Sequence, residues 1–219
     1  MKWLQRLMLA IPVLFVLANY SWVHAAAVYG VSDAVCDAQT SQMARKRVLG
    51  LFGEVHSQPW IGCLAQPRWG LGKVIGTTHF APGLPAVILL NADGQNVDVM
   101  AHEWAHAETA ARVGVLHRTY QMPTWLDEGL AMQVDLRPSY NLQALQRLVQ
   151  QAGRVPRLTQ ISSPRTFFQA GGNGRLHYAY SRCVVADMLR THSVLDLLQM
   201  ASLLESNTAR CELGQVNSS

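Results

Sequence analysis

His102, Glu103 and His106 stand in the stretch NVDVMAHEWAHAETAARVG, in the pattern His-Glu-x-x-His. On an α-helix residues i and i+4 share a face. The two imidazoles would therefore project together and could hold one metal ion through ring nitrogens. Glu103 is displaced by one step, which leaves it beside an ion, placed to take a proton from bound water. Zinc lowers the pKa of such a water to about 7, and a neighbouring carboxylate can complete the deprotonation. The chemistry so described is hydrolysis by zinc-activated water. It requires a third protein ligand and one open position. Two histidines one turn apart can also be ordinary helix residues, so the remainder of the chain has to decide.

Further on, MPTWLDEGLAMQ offers two adjacent carboxylates, Asp127 and Glu128. HEWAH followed by WLDEGLA resembles the gluzincin zinc metallopeptidases, which include the thermolysin-like and aminopeptidase-N-like enzymes. WLDEGLA is similar to the Trp-Leu-Asn-Glu-Gly-Phe-Ala string of the aminopeptidases. In size the chain is most similar to the small "peptidase MA-like" domains of exported bacterial proteins. The similarity runs over about residues 86–135 and more weakly to about residue 192. The metzincin continuation is absent, because Thr109 and Arg112 occupy the positions where it places Gly and His.

The resemblance implies that one Zn2+ is held by His102, His106 and Glu128, with Glu103 as general base. Asp127 is the rival ligand. Neighbouring helix residues point about 100° apart, so only one of the pair can face the metal. The motif favours Glu128, and Asp127 is then expected to cap its own helix. The family also carries a Tyr or His on a later helix that steadies the oxyanion. LHYAYSRCVVADML offers His177, Tyr178 and Tyr180, and the string Tyr178-Ala179-Tyr180-Ser181 aligns Tyr178 with that role. A well-placed phenol donating to developing negative charge contributes a few kcal/mol. The family's strand along the cleft, which binds extended peptides by main-chain pairing, aligns with PAVILLN. The Gly-Ala-Met-Glu-Asn string with which aminopeptidases grip a free N-terminus is missing, so exopeptidase activity is not implied. Arg182 is a candidate for a substrate carboxylate, although an exposed helix arginine is the commoner case.

These residues need elements to carry them. VSDAVCDAQTSQMARKRVLGLFG reads as a helix with Ser32 as N-cap, Gly53 as its end and an apolar face of Val35, Met43, Val48, Leu49 and Phe52. EVHSQPWIGCLA and GKVIGTTHFA are strand-like and are separated by the link QPRWGLG. PAVILLN is a third, apolar strand. Asn96 caps a helix from about Val97 to Val113 that ends at Gly114 and holds HEWAH at its middle. VLHRTYQM is a connector. TWLDEGLAMQVD forms the next helix, where Thr124 and Asp127 have capping-box spacing. NLQALQRLVQQAG, LHYAYSRCVVADMLR and HSVLDLLQMASLLES carry apolar residues at helical steps. Strands precede helices, which predicts an α+β domain. The expected form is zincin-like. It has a small N-terminal mixed sheet with an edge strand over the cleft, an active-site helix and a mostly helical C-terminal part.

Of the 219 residues, 49% are apolar and 15% charged, enough to bury a core. The net charge of +4 is mild. The longest basic run, Arg45-Lys46-Arg47, reads as a solvated helix face, and no basic face with interleaved aromatics predicts nucleic-acid binding. MKWLQR, LMLAIPVLFVLA and NYSWVHAAA follow the charged, apolar, small-residue order of an export signal, with cleavage after Ala25 or Ala27. Residues 1–27 are therefore a signal peptide or an N-terminal anchor, and 28–219 a single domain. Any membrane association runs through that first segment. Four cysteines in an exported chain predict two disulfides. Cys36 lies near the start of a helix and Cys63 at the end of the following strand. Cys183 is placed at the opening of one helix and Cys211 after the next. Hairpin logic pairs Cys36 with Cys63 and Cys183 with Cys211.

The sequence thus predicts an exported, most simply periplasmic, zinc peptidase acting on a peptide or protein. The alternative is a zincin-fold scaffold without catalysis that binds a protein partner.

Overall fold

The computed structural model describes residues 36–64, 74–168, 173–201 and 211. The export segment, the Ser32 cap, the QPRWGLG link and the chain after Ala201 other than Cys211 lie outside them. Within them the fold is mixed α+β, with three strands, eight α-helices and three short 3-10 turns.

The first helix, α1, runs Ala38–Phe52 and is capped by Asp37, whose carboxylate accepts the Thr40 N–H at 2.7 Å. Its buried face is Ala44, Val48 and Phe52. Met43 and Leu49, expected in that face, are exposed. Arg47 also departs from expectation. It donates to Asp98 and to the Val134 carbonyl, tying α1 to the helices that carry the site.

Strands β1 (Trp60–Cys63), β2 (Gly76–His79) and β3 (Val87–Leu90) form one sheet in the order β1-β3-β2. β1 runs parallel to β3 and β2 antiparallel to it, with Cys63 and Gly76 both registered on Leu90. This corrects the placement of PAVILLN. Its core, β3, is the central strand, buried at all four positions. An unbroken apolar run is what a strand covered on both faces requires. The strand beside the cleft is β2.

α2 spans Val97–Val113, capped by Asn96 through the Val99 N–H and closed at Gly114, in agreement with the sequence reading. The connector VLHRTYQM contains a short helix, α3 (Val115–Tyr120). α4 (Thr124–Val134) follows Pro123, which has no side chain to cap with, so the Thr124–Asp127 capping box does not form. α5 (Leu142–Ala152), α6 (Pro164–Phe168), α7 (Gly174–Met188) and α8 (Val194–Met200) complete the helical part. α4 packs on α2 and α7, and α1 packs on both α2 and α4. From Val99 to Ala110 every residue of α2 is buried.

The α4–α7 contact depends on Gly129. A Cβ there would lie 2.5 Å from Val185 Cγ2 and 2.7 Å from the Ser181 carbonyl oxygen. Glu108, wholly buried on α2, accepts the backbone N–H groups of His56 and Ser57 and the Arg112 Nε–H. It fastens the segment between α1 and β1 to the site helix.

Both expected disulfides are present, Cys36–Cys63 and Cys183–Cys211, each with a Cα–Cα distance of 5.3 Å. Cys183 does not open its helix, however; it lies well inside α7. Two disulfides suit an oxidising compartment. Among the described residues no helix is long and apolar enough to cross a membrane.

Candidate metal centre

α2 and α4 face each other across the core and supply three converging donors. His102 Nε2 and His106 Nε2 are 3.2 Å apart. Glu128 Oε2 lies 3.3 Å from the first and 3.6 Å from the second. All three side chains are buried, and Glu128 Oε2 has no hydrogen-bond partner. Donors on a tetrahedral ion with bonds of about 2.0–2.1 Å stand about 3.3 Å apart. The triangle brackets that spacing, so these three residues could hold one metal ion. Two imidazoles and a carboxylate suit zinc and other first-row divalent ions.

Asp127 is not a third-ligand rival and is not a cap. Its Oδ2 lies 3.1 Å from His106 Nδ1, on the far side of the ring from Glu128. Arg118 grips the same carboxylate with two hydrogen bonds. Asp135, which the sequence reading passed over, stands likewise 3.6 Å from His102 Nδ1 and is gripped by Arg137. A signal for it existed. Asp135 is seven residues after Glu128, two helical turns on, so it returns to the same face.

The charges in this cluster are mutually sustaining. Burial alone would push the His102 imidazole down, but Asp135 and Glu128 outweigh it and raise it to about 9. His106 is raised to about 10 against its burial by Asp127 and Glu128. Burial would raise Glu128, yet the two histidines hold it well below the usual carboxylate range. Asp127 is lowered against burial by Arg118 and His106, and Asp135 by His102 and Arg137.

The donors open onto a cavity of about 420 Å3. Glu103 lines it beside Gly76 and Thr78 of β2. The Thr78 hydroxyl lies 2.7 Å from Glu103 Oε2 and 3.0 Å from its backbone oxygen, so strand and helix fix this carboxylate together. Gly76 leaves room for it, since a Cβ there would stand 3.1 Å from Glu103 Cγ.

Tyr178 lines the cavity from α7, its ring 6.1 Å from that of His102. Burial, then the charges of Glu128 and Glu103, push its phenol far above the usual value. Its rivals lie elsewhere. Tyr180 is buried in the core, and the His177 ring packs with Nδ1 2.9 Å from the Phe167 carbonyl oxygen. Arg182 does not line the cavity. It is partly buried, and burial lowers its guanidinium against the opposing fields of Asp135 and Asp98. Trp104 packs in the core, as expected, and donates to Ser57 Oγ at 3.1 Å.

No family model matches the chain, and no match is found among curated proteins or solved structures. The gluzincin resemblance rests on the strings HEWAH and WLDEGLA alone.

Proposed function

We propose that this chain is an exported zinc-dependent peptidase of gluzincin type. The observation that carries the reading is the donor triangle of His102, His106 and Glu128, with Glu103 held beside it in one cavity. When bound, the zinc ion supplies a Lewis acid and makes water a nucleophile near neutral pH.

The chain's own residues supply the rest. Glu103 accepts at its carboxylate the proton of the water that attacks the peptide carbonyl. It then returns that proton to the leaving amine. The Thr78 hydroxyl keeps the carboxylate turned into the cavity. Tyr178 stays protonated at neutral pH and donates a hydrogen bond to the carbonyl oxygen as negative charge gathers there. β2, bordering the cavity through Gly76, Thr77 and Thr78, takes the part expected of PAVILLN and aligns an extended substrate by main-chain pairing. The export segment and the two disulfides support a periplasmic location, with a protein or peptide as substrate.

Glu103→Gln tests this. The variant should bind one equivalent of zinc and lose hydrolysis of an unbiased peptide library. Undiminished cleavage would overturn the mechanism. One zinc in the wild type with no cleavage of any peptide would favour a binding scaffold instead.

A further inference from the structure

We propose that Asp127 and Asp135 are paired positioning residues, each orienting one metal-ligating imidazole through Nδ1 and each anchored in turn by a stacked arginine. The inference rests on the reading of His102, His106 and Glu128 as metal ligands.

Two chains of four residues converge on the site. In one, the Arg118 guanidinium lies over the Phe80 ring at 4.3 Å, grips Asp127 with both Nε and Nη2, and Asp127 meets His106 Nδ1 at 3.1 Å. In the other, Arg137 lies over the Tyr140 ring at 5.0 Å and grips Asp135 with both Nε and Nη2. Asp135 in turn stands 3.6 Å from His102 Nδ1. Both Nδ1 atoms are buried and neither makes an aligned hydrogen bond, although the aspartate carboxylates stand 3.1 and 3.6 Å from them. Each ring thus has one nitrogen beside Glu128 and the other beside an aspartate.

The aspartates act once a cation occupies Nε2. The ring proton then has only Nδ1 to sit on, and a carboxylate beside that atom orients the ring and raises its basicity as a ligand. The arginines have a separate task. A planar guanidinium binds a carboxylate in bidentate fashion and stacks on an aromatic face, so it fixes the aspartate in direction as well as in charge. It also offsets the aspartate's charge, which limits the excess of negative charge around Glu103 and Glu128. α4 and the residue that follows it supply Asp127, Glu128 and Asp135 together. One element therefore sets the ligand and both orienting groups.

The experiment measures metal binding without substrate. Zinc affinity would be determined by chelator competition for the wild type and for Asp127→Asn, Asp127→Ala, Asp135→Asn and Asp135→Ala, with visible spectra of the cobalt-substituted proteins. We expect the alanine variants to lose about 10- to 100-fold in zinc affinity and to shift the cobalt bands. The asparagine variants, which keep an acceptor oxygen, should recover part of the loss. The effect should be larger at Asp127, whose contact is shorter. Variants with the wild-type circular dichroism, affinity and cobalt spectrum would overturn the proposal. Should the variants fail to fold, imidazole nitrogen resonances of the zinc-loaded wild type decide the matter. A proton on Nδ1 and metal on Nε2 in both rings supports the proposal, and metal on either Nδ1 overturns it. A wild type that binds no zinc overturns both this proposal and the ligand reading. Zinc binding without peptide cleavage removes the peptidase reading alone, and the affinity series still decides the positioning roles.

Discussion

Tyr178 owes its place to the rings around it. Phe167 packs edge-on against it with centroids 5.1 Å apart, and Tyr140 and Phe168 flank it at 5.8 and 6.4 Å. Tyr178→Phe keeps that packing and removes only the hydroxyl. We expect kcat to fall on the order of 10²-fold with KM little changed, because the hydrogen bond forms only as charge develops. Equal kcat for the two proteins would show that the phenol has no part in the reaction. At this scale the motifs were legible where spacing alone defines the geometry. His102, His106 and Glu128 are brought together as the i, i+4 rule and the WLDEGLA string suggest. Asp127 was misread because the capping box is a local rule, whereas its partners Arg118 and His106 reside on other helices. The hydroxyl of Thr78 was unreadable for the same reason, since only the docking of β2 on α2 brings it to Glu103.

Among the elements, α4 lies close against α7 because Gly129 has no side chain. Gly129→Ala would gain about 1 kcal/mol of helix propensity and lose more to overlap with Val185 and Ser181. We expect a net loss of about 2 kcal/mol, read from the urea midpoint. α2 is fastened by Glu108. Burial would raise that carboxyl, but the N–H groups of Ser57 and His56, with Arg112, hold it below its ordinary value of 4.5. A depressed folded-state pKa contributes stability that is present above the unfolded value and lost as pH falls through it and below. Glu108→Gln should cost about 3 kcal/mol at pH 7. Its deficit against the wild type should shrink in urea titrations below about pH 4.5. A constant deficit across that range would rule out the charge as its source. β3 shows where periodicity stops informing. An apolar run identifies a strand, but its rank in the sheet is set by pairing on both sides, with the preceding strand β2 and with the more distant β1, where Trp60 registers on Val87.

For the molecule as a whole, the two disulfides add covalent links to parts that already pack on one hydrophobic core. Cys36 ties the start of α1 to β1, and Cys183 ties α7 to Cys211. Their sequence separations of 27 and 28 residues correspond to about 3–4 kcal/mol each in the loop-entropy account. Replacing Cys36 and Cys63 together by Ser should lower the unfolding free energy by an amount of that size, seen in urea titration as a lower midpoint. An unchanged midpoint would mean that the link restrains little in the unfolded chain. The α+β character was legible from the order of strands and helices, and the cysteine pairing from export and hairpin geometry, although Cys183 sits deeper in its helix than that argument assumed. The burial of α2 along its whole middle was not legible. Nothing in its pattern says that His102, Glu103, His106, Glu108 and Thr109 are all enclosed, as they are. That enclosure bears on how the protein can change over evolutionary time. A surface helix drifts along its outer stripe while its inner stripe is kept, but α2 has no outer stripe from Val99 to Ala110. Any replacement there must be answered by a neighbour on α1, on α4 or in the sheet. The site and the architecture around it are therefore bound to vary together or not at all.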